Sequence, residues 1–349
     1  MNPRIAVPVF SLIAFAIAMA ITGVVVAPHD VWPNVLLSGY FLAGLGLAGG
    51  LLVAIHDASS GRWLGPVRPV AWSLTRLVLP GSIIVLTAIT IGGSTLYEAF
   101  HEDLHGGFKA FWLERTFFTI RAFIYVALWL LSLKLLKKRR AALYIVIFAV
   151  TVWLSSFDWI MALEPHWYST IYGVYHFAGL FTAGLAAIAI VIAVRARNDE
   201  SITTEHLHDV ARLLFAFSTF WMYIWFSQAM LTWYTNIPEE TAFYSRRAFG
   251  NWGVLFWAVV LLEWILPFLI LLPESAKRSR TVVLRVAVAV LIGHWLDLYL
   301  AILPAQSPEP RLTGWELALS LGTFAAVGWA VTKREREARL VPVPVAASH

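Results

Sequence analysis

The chain has 349 residues, of which 59% are hydrophobic and 13% charged, with a formal net charge of +5 and no cysteine. A soluble globular chain carries roughly 25% charged residues, so this composition is typical of a protein whose surface faces lipid. The lack of cysteine excludes disulfides, a thiol nucleophile and iron–sulfur ligation by this chain, and basic residues scattered over short loops disfavour nucleic acid as a partner.

Ten apolar stretches are long enough to cross a bilayer core of about 30 Å as helices. We number them spans 1 to 10, and they cover residues 5–26, 34–55, 77–97, 117–136, 141–163, 171–194, 210–233, 252–272, 281–303 and 313–332. The first is too long for the apolar part of a signal peptide, so we expect a true span. Pro80 and Pro267 lie within spans, and we expect them to mark kinks. The sequence therefore predicts an all-α integral membrane protein.

Lys and Arg residues are concentrated in every second loop, which is the pattern of cytoplasmic loops. This set comprises Arg4, Arg62, Arg68, Arg76, the run Lys137 to Arg140, Arg195, Arg197, Lys277, Arg278, Arg280 and the tail Lys333 to Arg339. The alternate set of loops contains only Lys109, Arg115, Arg246, Arg247 and Arg311. We therefore expect an even number of spans, with the N-terminus and C-terminus in the cytoplasm.

Two of the outward loops, 98–116 and 234–251, are rich in charged and aromatic residues. The first contains Glu98, His101, Glu102, Asp103, His105 and Glu114, and the second contains Asn236, Glu239, Glu240, Arg246 and Arg247. Such loops are either solvated hairpins or a docking platform for an extracytoplasmic partner. The sequence leaves both readings open.

An internal repeat relates the two halves of the chain. Residues 40–49 and 175–184 are identical at six of ten positions, and Asp158 and Asp297 are each followed seven residues later by proline. These matches predict two parallel four-helix bundles, spans 2–5 (residues 34–163) and spans 6–9 (residues 171–303), flanked by spans 1 and 10. The alternative is that small residues merely recur where membrane helices pack together.

Ionisable residues inside spans are costly in lipid and are candidates for function. The candidates that we take from the spans are Arg121, Asp158, His176, Glu263, Arg285, His294 and Asp297. Arg121 is the expected counter-charge of Asp158, and the hairpin after span 5 brings His176 back toward it. His294 and Asp297 are three residues apart and share a helix face. This cluster could lock helices together or handle protons, and His176 with His294 could also ligate a b-type haem.

Two long strings of residues carry a resemblance. They are Ser156-Phe-Asp158-Trp-Ile-Met-Ala-Leu-Glu164-Pro-His166-Trp-Tyr-Ser-Thr-Ile-Tyr-Gly173 and Trp225-Phe-Ser-Gln228-Ala-Met-Leu-Thr-Trp-Tyr234-Thr-Asn236-Ile-Pro-Glu239-Glu240-Thr241. Both resemble the ActF subunits of bacterial alternative complex III, a quinol:cytochrome c or other acceptor oxidoreductase. These subunits belong with the NrfD/PsrC-like polysulfide-reductase membrane subunits. The resemblance extends from span 2 to span 9.

The resemblance implies a ten-span subunit of the bacterial inner membrane that has no redox centre of its own. Its partners would be an extracytoplasmic iron–sulfur subunit, an ActC-like sister subunit and cytochrome c subunits, so that haem and iron–sulfur clusters sit in the partners. The family is associated with menaquinol or another quinone and with proton conduction. Because the motifs are intact, the resemblance implies that Asp158, Glu164, His166 and His176 are functional residues of this chain.

Three functions are compatible with these observations: a membrane subunit of a quinol-oxidising complex, a purely structural anchor, and a stand-alone secondary transporter. Pro80 and Pro267 do not occupy equivalent helices of the repeat, which disfavours the transporter. The candidate proton pathway consists of Asp158, His176, Arg121, Asp297, His294 and Glu263. The candidate partner interface consists of Glu164, His166, Glu239, Glu240, Arg246 and Arg247.

Overall fold

The computed structural model describes residues 3–59, 61, 64–101, 107–311 and 313–332. Within these ranges the chain is almost entirely helical and contains no β-strand. Several residues named above lie outside the described residues and are not considered further: Arg62, Glu102, Asp103, His105 and the tail Lys333 to Arg339.

Ten helices of the described chain are long and apolar enough to cross a membrane, which confirms the predicted number of spans. They are Ala6–Val26, Pro28–Ala58, Val67–Thr90, Arg115–Lys137, Ala141–Leu163, Tyr172–Arg195, Thr204–Thr235, Gly253–Leu271, Arg280–Ala305 and Gly314–Thr332. Spans 2, 3 and 7 begin earlier than predicted because their first turns are polar. Span 7, for example, starts with a capping box in which the Thr203 hydroxyl accepts from the backbone N–H of His206.

Shorter elements join the spans. Four short helices cover Gly93–Leu96, Gly107–Trp112, Pro238–Ala248 and Glu274–Arg278, and 3₁₀ turns cover Thr75–Leu77, Glu98–Phe100, Met161–Leu163 and Leu303–Ala305. Span 8 is α-helical over Gly253–Val260 and Leu266–Leu271, with a π-helical turn at Leu261–Ile265 between them. We call the end that carries Pro238–Ala248 the outer end and the end that carries Glu274–Arg278 the inner end, following the predicted orientation.

Spans 2 and 6 form the centre of the molecule and contact each other. Spans 2 to 5 form a ring in which span 2 contacts spans 3 and 5, and span 4 contacts the same two spans. Spans 6 to 9 form a second ring, in which span 6 contacts spans 7 and 9, and span 8 contacts the same two spans. Glycines allow the close approach: a Cβ on Gly39 would lie 2.7 Å from the Val85 backbone nitrogen, and one on Gly44 would lie 3.0 Å from Leu180 Cδ1. The internal duplication itself stays a prediction.

Span 4 has a well-defined start that fixes the hairpin beside it. The Glu114 carboxylate accepts hydrogen bonds from the backbone N–H groups of Thr116 (2.9 Å) and Phe117 (2.7 Å). These two donors satisfy orphan groups of the first helical turn, and they hold the pKa of the Glu114 carboxyl below its ordinary value. The short helix Gly107–Trp112 is held over the end of span 5 by the Trp112 indole N–H, which donates to Asp158 at 2.7 Å, and by Lys109, which donates to the Pro165 carbonyl.

Candidate functional site

Five of the ionisable candidates form two separate clusters instead of the single one that the sequence suggested. The first joins spans 4 and 5 around Asp158, and the second joins spans 6, 8 and 9 around Glu263, His294 and Asp297. The two clusters differ in how many of their polar atoms have hydrogen-bond partners. The cluster with unpartnered polar atoms is the candidate proton site.

Asp158 is buried and fully supplied with donors. Arg121 reaches it with Nε (2.9 Å) and Nη2 (3.1 Å), and the Tyr125 hydroxyl and the Trp112 indole N–H each donate to it at 2.7 Å. The Arg121 guanidinium also lies 4.0 Å from the centre of the Trp112 ring. The predicted pairing of Arg121 with Asp158 is therefore confirmed. Four donors to one carboxylate fasten span 4, span 5 and the outer hairpin together.

His176 lies apart from this ion pair. Its ring is enclosed by those of Tyr172, Tyr175 and Tyr40, with centroids 4.4, 5.5 and 5.8 Å away, and its Nε2 is buried with no hydrogen-bond partner. No hydrogen bond or ion pair connects it to Asp158 within the part of the chain that the structure describes. His176 thus occupies an aromatic setting at the span 2–span 6 contact.

The second cluster lies near the middle of span 8. His294 Nδ1 is 3.3 Å from Glu263 Oε1 and 4.0 Å from Asp297 Oδ2, so His294 and Asp297 share a face as predicted. The Tyr175 hydroxyl donates to Asp297 Oδ1. All these groups are buried, and Glu263 has no exposed surface at all.

Pro267 explains how Glu263 comes to be presented on a π-helical turn. Proline has no N–H, and its ring clashes with the carbonyl four residues earlier, which here is that of Glu263. The helix widens into the π turn at this point. The freed Glu263 carbonyl accepts a hydrogen bond from the Ser218 hydroxyl of span 7, as expected where a neighbouring helix satisfies a broken backbone bond.

Two glycines make room for the cluster. A Cβ at Gly293 would lie 2.8 Å from Glu263 Cγ, and a Cβ at Gly179 would lie 2.8 Å from His294 Cε1. Both distances are shorter than real Cβ contacts. Glycine at position 293 therefore lets span 9 approach span 8, and glycine at position 179 lets the His294 ring approach span 6. The sequence analysis did not identify these two glycines or Ser218, although the spacing of Glu263 and Pro267 was a visible signal.

Three polar atoms of this cluster have no hydrogen bond in the structure. These atoms are the two carboxyl oxygens of Glu263 and the Nδ1 of His294. The Glu263 carboxyl and the His294 ring face each other without the alignment that a hydrogen bond requires. An ionised carboxylate buried without partners costs far more than a paired one, in contrast to Asp158. Groups in this state are suited to gaining, losing or sharing a proton.

A small cavity leads from the cluster toward the outer end. It encloses about 30 Å³ and is lined by Tyr175 and Asp297 on the inside and by Gln228, Tyr244 and Arg247 on the outside. A cavity needs roughly 10–15 Å³ to hold one water molecule, so this one has room for about two. Burial raises the pKa of Tyr244 above its ordinary value, so its hydroxyl stays protonated.

A buried ion pair covers the outer end of this cavity. Arg247 pairs with Glu164, donates to the carbonyl oxygens of Leu300 (2.8 Å) and Phe243 (3.1 Å), and is only 3% exposed. Arg246 also reaches Glu164, at 3.5 Å. Arg247, which was predicted to belong to the partner interface, is instead held inside the protein by three internal acceptors.

The other predicted interface residues remain at the surface. Glu239 and His166 are exposed and Glu240 is half-buried, while the Arg246 side chain is 47% exposed. Exposed aromatic residues lie among them, including Tyr168, Tyr234 and Phe249. Their surroundings fit a polar-rimmed interface.

The second cluster is also a geometric candidate for a cation, since one donor atom each of Glu263, His294 and Asp297 lie within 4.8 Å of one another. Entry would require an ion to lose its hydration shell in a cavity of about 30 Å³, so a proton is the better-fitting cation. For haem, His176 is packed among tyrosines and the Nδ1 of His294 points at a carboxylate, so these contacts favour side-chain packing over shared ligation.

Comparison with known proteins adds no identification. No protein-family model matches the chain, and no curated protein sequence matches it significantly.

Proposed function

We propose that this chain is the membrane subunit of a quinol-oxidising electron-transfer complex of the alternative complex III type, in the bacterial inner membrane, with both termini cytoplasmic. It has no redox centre of its own and contributes a proton pathway to the complex. The two strings of residues that resemble ActF subunits support the assignment to this type of complex. The observation that carries the proton role is the buried Glu263 carboxyl, whose oxygens lack hydrogen bonds and face His294.

The pathway that we propose has a defined order. Water in the outer cavity exchanges protons with Asp297, which lines this cavity and also accepts a hydrogen bond from the Tyr175 hydroxyl. His294 Nδ1 lies 4.0 Å from Asp297 Oδ2 and 3.3 Å from Glu263 Oε1, so this one nitrogen takes a proton from Asp297 and then gives the same proton to Glu263. Carboxyl and imidazole groups in series are the usual elements of such relays. The Glu164–Arg247 pair limits access from the outer surface.

Membership of a redox complex is tested by native purification. The chain, tagged and isolated from its own membranes in mild detergent, should migrate in one native-gel band with a haem spectrum and iron–sulfur proteins, and the band should oxidise a quinol. A chain that purifies alone, without haem, would contradict this proposal and favour the transporter. The same preparation tests docking, because the exposed Lys109 should cross-link to an extracytoplasmic subunit.

The proton role is tested by substitution in the same complex. Glu263→Gln keeps the shape but removes the titratable group, so proton movement linked to quinol oxidation should slow on the order of 10²-fold while the complex still assembles. Glu316→Gln is the matched control, because Glu316 is also a buried span glutamate but is hydrogen-bonded to the backbone N–H of Thr313 (2.8 Å). Equal proton movement in both variants would favour the structural anchor.

The outer surface is the proposed docking site for the iron–sulfur subunit, with the ActC-like sister and cytochrome c subunits completing the assembly. Menaquinol or another quinone is the substrate of the complex, and a quinone-facing surface on this chain is part of the proposal. The exposed Glu239, His166 and Arg246 with neighbouring aromatic rings support a polar-rimmed contact.

A further inference from the structure

A wide cleft opens at the inner end of spans 7 and 8. It encloses about 780 Å³ between the first turns of span 7 and the short helix Glu274–Arg278 that follows span 8. Its polar side is formed by His208, Arg212 and Lys277, and its apolar side by Leu213, Phe215 and Leu272. Nothing in the proposed proton pathway uses it.

Among the described residues, two cations of this cleft have no anionic partner within 4.0 Å. No carboxylate of the described residues lies within 4.0 Å of Arg212 or Lys277; Lys277 only donates to the Leu272 carbonyl at 3.1 Å and lies 5.1 Å from the centre of the Phe215 ring. Two acids also line the cleft. Glu274 pairs with Arg278 at 3.0 Å and lies 3.9 Å from Nε2 of His208, and Asp209 lies 3.8 Å from Nδ1 of the same ring. Neither acid pairs with Arg212 or Lys277, so these two cations are available to an external anion.

The apolar side of the cleft continues into the bilayer. Arg212, Ala216 and Tyr223 recur at helical spacing and share one face of span 7, and Tyr223 is 64% exposed. Leu272, on the opposite wall, is 58% exposed. Arg212 lies eight residues into span 7, or about 12 Å along the helix axis, which is within the inner quarter of this 32-residue span. An occupant that satisfies both sides must be anionic at one end and apolar at the other.

From these contacts we propose that the cleft binds one anionic phospholipid of the inner leaflet, with its phosphate between Arg212 and Lys277 and an acyl chain along span 7. Basic pockets between membrane helices at the cytoplasmic side suit such headgroups. The shared chemistry is a phosphate group, and the apolar wall selects a lipid over a soluble phosphate. The bound lipid would fasten the ends of spans 7 and 8, which carry Ser218 and Glu263.

Native mass spectrometry of the delipidated full-length protein tests the proposal. Phosphatidylglycerol added back should give a retained adduct, whereas phosphatidylcholine should not. Arg212→Gln with Lys277→Gln should weaken the adduct on the order of tenfold or more, and Arg212→Lys should keep it. The control is Lys138→Gln with Arg197→Gln, two exposed cations of the same end outside the cleft, which should bind as the unaltered protein does.

Three results would overturn the proposal. Equal phosphatidylglycerol binding by the cleft variant and the control would place the lipid elsewhere. Loss of the adduct in millimolar inorganic phosphate would make this a soluble-anion site, and equal retention of phosphatidylcholine would remove the role of the cations. If the double variant does not fold, Lys277→Gln alone and the phosphate competition decide between the same outcomes.

Discussion

At the scale of single residues, Asp158 and Glu263 show how similar side chains can serve opposite purposes. Each is a carboxyl buried within a membrane helix, and sequence reasoning places the greater weight on Asp158. Asp158 accepts from Arg121, Tyr125 and Trp112, whereas neither carboxyl oxygen of Glu263 has a hydrogen bond. The first is held in one state, and the second is free to change its protonation.

Asp158→Asn should therefore act on assembly rather than on proton coupling. The substitution leaves the buried Arg121 charge without its counter-ion, which costs about 3–5 kcal/mol. We expect the variant to be depleted from the membrane on an immunoblot, and Asp158→Asn with Arg121→Gln to recover part of the loss. Normal abundance with slowed proton uptake would instead assign Asp158 to proton transfer, the role that sequence reasoning favours.

At the scale of elements, the π turn of span 8 is a local consequence of Pro267, and this turn positions the Glu263 side chain. The bulge depends on Ser218 from span 7 and on the absence of a side chain at Gly293 of span 9. The existence of the spans could be predicted because hydropathy and length decide them. The bulge could not, since it requires knowing which three helices meet there.

Gly293→Ala tests this dependence. Its Cβ would lie 2.8 Å from Glu263 Cγ and 3.0 Å from Leu262 Cβ, so spans 8 and 9 must separate. We expect a loss of about 1–3 kcal/mol, the usual cost of overpacking, seen as a lower melting temperature of the purified protein together with weaker proton coupling. Gly328→Ala is the control, because a Cβ there meets nothing within 4 Å. Equal melting temperatures would contradict the account.

At the scale of the whole molecule, ten spans are arranged around the contact between spans 2 and 6. The predicted polar cluster is divided by this centre, with Asp158 on one side and Asp297 on the other. Sequence spacing pointed to the residues of both halves. It could not show which would meet, because partners such as Tyr175 and Trp112 come from distant parts of the chain and look like ordinary packing aromatics.

The orientation of the molecule remains a prediction from loop charge. Reporter fusions at Lys138 and at Glu239 should give signals from opposite sides of the membrane, with Lys138 cytoplasmic. Both residues are exposed. Lys138 lies in the hairpin between spans 4 and 5, and Glu239 lies in the hairpin between spans 7 and 8. Signals from the same side would contradict the ten-span topology, and exchanged signals would reverse the direction of the proposed pathway.

The central claim is that Glu263 changes its protonation when the complex turns over. Redox-induced infrared difference spectroscopy of the intact complex measures this directly, through the carbonyl stretching band of protonated carboxylic acids. We expect a difference band in the unaltered complex and in Glu316→Gln that is absent in Glu263→Gln. A band that persists unchanged in Glu263→Gln would contradict the claim.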